Sequence, residues 1–323
     1  MAYTLHEGDS AVVLKQYPDN YFHSIVTDPP YFIEVFNQKW DGKATDLTPV
    51  FKECFRTLRP GGYMIAFSSS KTYHKTISML MSAGFDIEDM LVWQHEQGFP
   101  KSQDIGKKVE ALRLTGKANM RAIKEAACIQ AGIEYETEFG IHQKRLAGKP
   151  SAKFNHQKDR AILHHDNEWS GWYTDIKQTI EPIALAQKPI EGNSAVHNCV
   201  KWNAGALNIT EAGQDDKLCG NIFRYSKPSK EERNAGLDED TDHPTVKPID
   251  LMRSLITLVT PESGIVLDPF LGSGSTGIAA LELDREFIGI EKEPKYLEIS
   301  KKRIEHFANI TRTPQKSKFS FGV

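Results

Sequence analysis

The sequence predicts an α/β fold with a mixed, mostly parallel sheet and helices on both faces. Two observations lead to this prediction. At both ends of the chain, short apolar segments of strand length alternate with segments of helical periodicity, as in parallel strands joined by crossover helices. In addition, two predicted strands run straight into segments rich in proline or glycine, and α/β proteins bind ligands at the carboxyl ends of parallel strands. With 39% hydrophobic residues among 323, the chain has enough apolar side chains for a large core.

The N-terminal end supplies the first alternation of strand and helix. A buried strand is predicted over 22–27. Thr48 is the expected N-cap of a helix with Pro49 in its first position, and apolar residues at helical spacing follow from Phe51. The segment Pro60-Gly61-Gly62 is expected to end this helix. Further expected elements are a strand over 63–68, a helix over about 71–83 that ends at Gly84, and a strand over 85–93.

The C-terminal end repeats the pattern. A helix over 248–258 is expected before a strand over 264–267, which opens into a segment rich in glycine and serine. The remaining expected elements are a helix over 277–283, a strand over 286–291 and a last helix from about Pro294, and the tail after Thr311 is expected to fray.

Between these ends, residues 96–241 show no clean periodicity and part of them is basic. Residues 97–165 contain 13 Lys and Arg against 7 Asp and Glu, a net charge of +6 in a chain of net charge −3. The rest of the chain therefore carries about −9. Two interpretations stay open for the basic clusters, namely solvated helix faces and a surface for a polyanion such as DNA.

The composition excludes several classes of protein. No apolar segment approaches the roughly 20 residues that a membrane helix needs, and the N-terminus lacks the basic and apolar regions of a secretion signal. The four cysteines are scattered and form no C-x-x-C pair, which argues against a disulfide scaffold and a structural zinc site. We expect no membrane association and no metal.

The segment Asp28-Pro29-Pro30-Tyr31 directly follows the first predicted strand. Two prolines keep the chain extended and remove two backbone donors, which leaves carbonyl oxygens free to point into a cleft. A carboxylate beside a proline carbonyl suits a group with two N–H bonds, such as the exocyclic amine of a nucleobase. The tyrosine ring can stack on a flat heterocycle. The other interpretation is an ordinary Pro-Pro turn with a surface tyrosine.

A second distinctive segment, residues 268–276, follows a predicted strand near the C-terminus and reads DPFLGSGST. Its glycines let a ligand approach the backbone, but neither the dinucleotide fingerprint nor the P-loop spacing is present. Asp268 at the strand end suits a cationic group, and Glu291, 23 residues later, is placed to accept hydrogen bonds from ribose hydroxyls. A glycine loop with an acidic residue and no phosphate site fits a nucleoside with an amino-acid tail, such as S-adenosyl-L-methionine.

Together and in this order, TDPPY and DPFLGSGST resemble the motifs of DNA amino-methyltransferases, which methylate adenine N6 or cytosine N4. The order is that of the β-type arrangement, with the catalytic motif first and the cofactor motif last. Three further segments are similar to family motifs: Gly8-Asp9-Ser10 near the cofactor adenine, His243 to Pro248 at its methionine end, and Ile288 to Glu291 at its ribose. The resemblance covers about residues 3–95 and 241–308.

This resemblance implies a Rossmann-like fold of S-adenosylmethionine-dependent methyltransferases with a circularly permuted motif order. It also implies a division of the chain. The expected parts are a catalytic half over 1–95, a basic target-recognition insert over 96–241, a cofactor-binding half over 242–310 and a C-terminal tail over 311–323.

The resemblance further implies roles for individual residues. The catalytic residues would be Asp28, Pro29, Pro30 and Tyr31, with Asp28 and the Pro29 carbonyl binding the amine and Tyr31 stacking on a base flipped out of double-stranded DNA. The loop 32–44 would close over that base. The cofactor-binding residues would be Asp9, Thr245, Lys247, Asp268, Pro269, Phe270, Gly272, Ser273, Gly274, Ser275, Thr276 and Glu291. Aspartate in the first motif position favours adenine, because cytosine-N4 members more often have serine there.

DNA phosphates are expected to contact the basic insert. The candidates are Lys39 in the loop and, in the insert, Lys101, Lys107, Lys108, Arg113, Lys144, Arg145 and Lys153, and the first insert cluster also contains Lys117, Arg121 and Lys124. Gly98 to Ser102 and Glu181-Pro182-Ile183 look similar to methylases of phages and prophages, which implies action in the bacterial cytoplasm. The chain could act as a monomer or a homodimer, and a cognate restriction enzyme is not implied. The alternatives are cytosine-N4 methylation, methylation of RNA or of a protein glutamine, and a DNA-binding module without catalysis.

Overall fold

The computed structural model describes residues 2–33, 42, 45–95, 102–132, 161–213, 218–241 and 245–312. The chain forms two compact units, one of residues 1–97 with 179–323 and one of residues 98–178. The larger unit contains the sheet, and the smaller unit contains a pair of packed helices. No helix within these described ranges is long and apolar enough to cross a membrane.

An eight-stranded sheet with the order β1-β8-β7-β2-β3-β5-β4-β6 forms the centre of the larger unit. The strands are β1 (Tyr3–Glu7), β2 (Phe22–Thr27), β3 (Leu58–Phe67), β4 (Asp86–Gln94), β5 (Ile180–Gln187), β6 (Ile222–Arg224), β7 (Ile265–Asp268) and β8 (Glu286–Glu291). Neighbouring strands pair in parallel except at β5, which is antiparallel to both β3 and β4. The predicted mixed, mostly parallel sheet is therefore confirmed.

Helices cover both faces of this sheet. They are α1 (Ser10–Val13), α2 (Thr48–Thr57), α3 (Tyr73–Ala83), α6 (Ala195–Trp202), α7 (Lys230–Asn234), α8 (Ile249–Val259), α9 (Ser275–Glu282) and α10 (Pro294–Arg312), while α4 (Ile105–Thr115) and α5 (Met120–Gln130) belong to the smaller unit. Successive side chains of a strand point to opposite faces. Ile25 accordingly packs in one buried cluster with residues of α2 and α3, and Val26 packs in another with residues of α8 and α9.

Two local interpretations of the sequence were wrong. Thr48 does not cap α2, because Leu47 is the N-cap residue and the Thr48 N–H donates to Asp46 Oδ1 at 2.9 Å. Pro60-Gly61-Gly62 does not end α2, which stops at Thr57, and instead lies inside β3. Gly61 has a φ of 76° and its N–H donates to the Lys188 carbonyl at 2.9 Å, so the segment continues as an irregular strand.

The two compact units do not follow the boundaries of the predicted insert. Residues 179–241 contribute β5, α6, β6 and α7 to the larger unit, whereas 98–178 form the smaller one. In the smaller unit, α4 and α5 pack through Ala111, Ala122 and neighbouring apolar residues. That the insert over 96–241 recognises a DNA sequence stays a prediction. The predicted tail lies outside the described residues, apart from Thr311 and Arg312 at the end of α10.

Candidate active site

A cavity of about 380 Å³ lies at the carboxyl ends of β2, β7 and β8. It brings together most of the residues that the sequence singled out from distant parts of the chain. Its walls include Asp9, Asp28, Pro29, Pro30, Tyr31, Thr245, Lys247, Asp268, Pro269, Phe270, Gly272, Ser273, Ser275, Thr276 and Glu291. Both strand-end motifs therefore face one space, as expected for parallel strands whose carboxyl ends share an edge.

Asp28 occupies the first position after β2 and is held by two side chains. The Tyr31 hydroxyl lies 2.6 Å from Asp28 Oδ1, and the Lys247 ammonium donates to Asp28 Oδ2 at 2.5 Å. Burial raises the pKa of Asp28, and the charge of Lys247 opposes that rise. The carboxylate is thus a largely buried acceptor that depends on Lys247 for its charge compensation.

The chain turns sharply immediately after Tyr31. Phe32 has a φ of 61°, a conformation that a bulky residue seldom adopts, and its side chain is only 2% exposed. The Thr72 hydroxyl donates to the Tyr31 carbonyl at 2.6 Å. Burial of the Phe32 ring and this hydrogen bond hold the turn, so that the Tyr31 side chain is directed back to Asp28. Most of the predicted closing loop after this turn, including Lys39, Trp40 and Asp41, lies outside the described residues.

Lys247 is buried beside Asp28, although the sequence placed it with the methionine end of the cofactor. Its ammonium lies 3.1 Å from the Tyr31 hydroxyl and 4.9 Å from the centre of the Phe67 ring. Burial lowers the pKa of Lys247, but Asp28 and Glu181 outweigh this effect and raise it above its ordinary value. Lys247 is therefore a charged partner of the acceptor carboxylate.

Glu181 is a second carboxylate of this cluster, and the sequence did not single it out for the site. Its Oε2 lies 3.0 Å from the Tyr31 hydroxyl and 3.4 Å from Lys247 Nζ. Because β5 runs antiparallel to β3, its first residues reach the sheet edge at which β2 ends. The only signal in the sequence was the similarity of Glu181-Pro182-Ile183 to phage methylases, which assigned no role to the glutamate.

Asp268 anchors the loop between β7 and α9. Its Oδ1 accepts from the Thr27 hydroxyl at 2.6 Å and from the Phe270 N–H at 3.0 Å, and its Oδ2 accepts from the Thr276 hydroxyl at 2.6 Å. Burial raises the pKa of Asp268 to about 6. Both oxygens thus already have partners within the chain, whereas the sequence suggested a carboxylate available to a cationic ligand.

The glycine loop after Asp268 is held from two sides. Glu291 Oε2 accepts from the Gly272 N–H at 2.8 Å, and the fully buried Arg303 donates to the Ser273 carbonyl. Gly274 starts α9 with a φ of 78°, and a Cβ atom there would lie 3.0 Å from Ser300 Cβ, so the position requires glycine. Sequence reasoning missed Arg303, because an arginine on a C-terminal helix carries no local sign that it is buried.

Asp9 lies at another wall of the cavity. Its Oδ1 accepts from the Ala11 N–H at 3.0 Å and caps α1, and its Oδ2 lies 3.2 Å from Lys292 Nζ. Lys292 directly follows Glu291 at the end of β8, and Gly8 N–H donates to the Glu291 carbonyl at 2.9 Å. The loops after β1 and β8 therefore present Asp9 and Glu291 side by side.

The candidate DNA contacts fall into two groups. Lys107, Lys108 and Arg113 lie on α4 of the smaller unit, where the Arg113 guanidinium contacts both carboxylate oxygens of Glu168 at 3.0 Å. Lys39, Lys101, Lys144, Arg145 and Lys153 lie outside the described residues. The structure therefore describes three of the eight candidate residues, and their contact with DNA stays a prediction.

Comparison with known proteins identifies relatives along nearly the whole chain. The Type II methyltransferase M.HindIII of Haemophilus influenzae is 25% identical over 349 aligned positions, which cover 93% of this chain and 94% of the relative. The DNA adenine methyltransferase YhdJ of Escherichia coli is 24% identical, covering 94% of this chain and 83% of the relative.

Solved structures with a similar fold include the M1.HpyAVI-SAM complex and the cytosine-N4-specific PvuII DNA methyltransferase. The first has a TM-score of 0.52 at 20% identity and covers 94% of this chain and 98% of its own. The second has a TM-score of 0.57 at 15% identity and covers 96% of this chain and 91% of its own. At these identities the two structures support the fold alone, and they confirm the predicted methyltransferase fold class.

The DNA methylase family N6_N4_Mtase matches residues 22–302. This range contains both strand-end motifs and the eight-stranded sheet except β1. The sequence motifs, the shared cavity and this match therefore agree, and the chain belongs to the DNA methylase family and is a DNA amino-methyltransferase.

Proposed function

We propose that this DNA methylase transfers the methyl group of S-adenosyl-L-methionine to the exocyclic N6 amine of an adenine in double-stranded DNA. The observation that carries this proposal is the single cavity in which the Asp28 carboxylate faces the same space as the glycine loop and Glu291. Aspartate in the first motif position and the similarity to the adenine methyltransferase YhdJ support adenine as the target base.

The residues around the glycine loop fit S-adenosyl-L-methionine. The cavity volume of about 380 Å³ is in the range of small-molecule sites. The carboxylates in its walls suit a ligand with a sulfonium, an ammonium and ribose hydroxyls. Glu291 accepts from the Gly272 and Glu293 N–H groups and still has lone pairs that can accept hydrogen bonds from the ligand. When bound, the cofactor supplies a methyl group on a positively charged sulfur. We assign its binding to Asp9, Thr245, Glu291 and the loop 268–276.

The residues that follow β2 bind the target amine, which accepts the methyl group. Asp28 and the Pro29 carbonyl accept the two hydrogens of the target amine and so direct its lone pair at the methyl group. The Asp28 carboxylate opposes the positive charge that develops on the amine nitrogen during attack. After transfer the amine loses one proton, and Asp28 takes it readily because burial has raised its pKa. Pro30 keeps the segment extended, and the Tyr31 ring stacks on the base.

The smaller unit and its cations provide the proposed DNA surface. Lys107 and Lys108 lie on α4, and Lys117, Arg121 and Lys124 are exposed between α4 and α5 or on α5. Cations on one surface neutralise phosphates without regard to sequence, and side chains that enter a groove read the bases. We propose that cations within residues 98–178 contact the phosphates of the duplex.

Cytosine-N4 methylation is the second candidate. It requires the same acceptor geometry for an exocyclic amine, and the family includes N4 methyltransferases. Methylation of RNA or of a protein glutamine agrees less well with the basic charge of residues 97–165 and with the similarity to YhdJ, which is named a DNA adenine methyltransferase.

The decisive experiment incubates the protein with isotopically labelled S-adenosyl-L-methionine and unmethylated duplex DNA. Nucleoside mass spectrometry after digestion should give labelled N6-methyl-2′-deoxyadenosine, and sequencing with a modification-sensitive readout should locate the sites. Label in N4-methylcytosine alone would refute the adenine assignment. Unlabelled DNA, together with label in RNA or protein offered in parallel incubations, would refute the proposed function.

A further inference from the structure

Lys247 lies between two carboxylates, and Asp28 is only one of them. The Lys247 ammonium has three N–H donors, and its neighbours are Asp28 Oδ2 at 2.5 Å, the Tyr31 hydroxyl at 3.1 Å and Glu181 Oε2 at 3.4 Å. The side chain of Lys247 is 5% exposed, so bulk water screens these charges little. A small rotation about the terminal bonds of Lys247 is enough to strengthen its contact with one carboxylate at the expense of the other.

The position of Lys247 matters for the chemistry of Asp28. While the ammonium lies on Asp28 Oδ2, it occupies an acceptor site that the target amine needs. Its positive charge also weakens the stabilisation that Asp28 gives to a nitrogen becoming positive. When the ammonium lies on Glu181, Asp28 faces the amine as an uncompensated carboxylate.

The fold holds Glu181 firmly in the place that this exchange requires. The register of β5 pairs Ile183 with Phe67, and the Ser68 N–H donates to the Pro182 carbonyl at 3.0 Å. On the side away from Lys247, Glu181 Oε1 lies 3.8 Å from His95 Nε2. Burial and Lys227 lower the pKa of His95 and outweigh the opposing effect of Glu181, which favours the uncharged form of this imidazole.

Tyr31 connects the two carboxylates through its hydroxyl. The hydroxyl lies 2.6 Å from Asp28 Oδ1 and 3.0 Å from Glu181 Oε2, and its single proton serves one acceptor at a time. Burial and the two carboxylates raise the pKa of Tyr31, which keeps the hydroxyl protonated. When the Lys247 ammonium moves towards Glu181, the Tyr31 hydroxyl can donate to either carboxylate. It makes one hydrogen bond in both cases, so the exchange costs none.

We propose that Glu181 is a positioning residue for methyl transfer, because it takes the Lys247 ammonium when the target amine binds to Asp28. Glu181 does not touch the reacting atoms and acts through Lys247. This inference rests on the proposed function and adds a residue to the same site.

The test compares Glu181→Gln with the wild-type enzyme in single-turnover methylation of duplex DNA. The amide keeps an acceptor for the Tyr31 hydroxyl but removes the charge that draws Lys247. We expect the rate at saturating DNA and cofactor to fall about 10- to 100-fold, while the dissociation constant of S-adenosyl-L-methionine changes less than about twofold. The matched control is Glu282→Gln, whose carboxylate contacts Arg253 outside the cavity and has the same 22% side-chain exposure as Glu181. It should retain the wild-type rate.

A double-variant cycle separates the proposed role from a general structural one. In a Lys247→Met background, Glu181→Gln should lower the rate by less than about twofold, because the group through which it acts is already gone. Glu181→Asp keeps the charge and should therefore retain more of the wild-type rate than Glu181→Gln. If the glutamine variant does not fold, the aspartate variant replaces it in the comparison with the wild type. Independent, multiplicative losses in the cycle, or a wild-type rate in Glu181→Gln, would overturn the inference. Absence of DNA methylation by the wild-type protein would instead overturn the proposed function.

Discussion

Asp28 and Asp268 both follow a buried strand, yet their surroundings give them different tasks. Asp268 accepts hydrogen bonds from Thr27 at the end of β2, from Thr276 at the start of α9 and from the Phe270 N–H in the loop between β7 and α9. Asp28 is instead bonded by the ends of two side chains, Lys247 and Tyr31, which can change partners by rotation. Asp268 therefore holds the glycine loop in place, whereas Asp28 can exchange one hydrogen-bond donor for another.

Replacing Asp28 by Asn tests the acceptor role at the residue scale. The amide removes the charge that opposes the developing cation, so methyl transfer should fall at least about 100-fold. Binding of S-adenosyl-L-methionine should stay within about threefold of wild type, because the cofactor is assigned to other residues. The control is Asp250→Asn on α8, where an exposed carboxylate pairs with Arg253. Full activity of the Asp28 variant in a methyl-incorporation assay would remove this residue from the mechanism.

At the scale of elements, β2 connects the acceptor segment to the cofactor loop. All six of its residues are buried, including three polar ones. Thr27 donates to Asp268, Ser24 bonds to Thr260 at 2.7 Å, and His23 Nδ1 accepts from the Ile265 N–H at 2.9 Å. The bonds of His23 and Ser24 hold the start of β2 against the start of β7 and the end of α8, and the Thr27–Asp268 bond joins the carboxyl ends of β2 and β7, where the acceptor and cofactor residues begin.

His23 makes the stability of this central strand dependent on pH. Burial and the neighbouring Arg59 lower the pKa of His23 to about 4, whereas a histidine in the unfolded chain titrates near 6.5. Between these values the unfolded chain binds the proton and the folded protein does not. The free energy of unfolding should therefore decrease as the pH falls from 7.5 to 5, with about 2 kcal/mol of the decrease due to His23.

The measurement is urea unfolding of the wild type and of His23→Asn across this pH range. The variant keeps a hydrogen-bond acceptor but does not titrate, so its stability should fall less steeply with acid. His197→Asn, which replaces an exposed histidine on α6, should show the wild-type slope. Equal slopes for wild type and His23→Asn would show that His23 does not control the acid sensitivity.

At the scale of the whole molecule, charge is divided along the chain. Residues 97–165 carry a net charge of +6 while the complete chain carries −3. The cavity itself is lined by buried carboxylates, which suit a cationic cofactor. We therefore expect residues 97–165 to attract a duplex more strongly than the rest of the chain, with an affinity that is modest and sensitive to salt.

Salt titrations of DNA binding test this division of charge. The double variant Arg121→Gln/Lys124→Gln removes two exposed cations one turn apart on α5. It should weaken duplex binding and reduce the slope of log Kd against log salt by about 2, since each lost phosphate contact contributes about 0.9. Arg113→Gln should have a smaller effect, because Glu168 already neutralises this guanidinium. An unchanged slope in the double variant, measured by fluorescence anisotropy, would exclude α5 from the DNA surface.

The parts of the fold that follow from local sequence were predicted well. Strands β2 and β8 have the predicted bounds, and Gly84 ends α3 in the left-handed conformation that favours glycine. The middle of the chain was predicted poorly. Strand β5 carries no distinguishing local pattern, and its place between β3 and β4 depends on pairing with segments more than eighty residues away.

The sequence by itself determined the α/β class, the two strand-end motifs and the DNA methylase family, because strands, turns and motifs depend on neighbouring residues. Only the tertiary structure decided that Lys247 and Glu181 join Asp28, across 219 positions in the case of Lys247. It also decided that the oxygens of Asp268 are occupied by hydroxyl groups of its own chain. Such partnerships arise where strands distant in sequence end at the same edge of a sheet, and there burial requires every charge to find a partner.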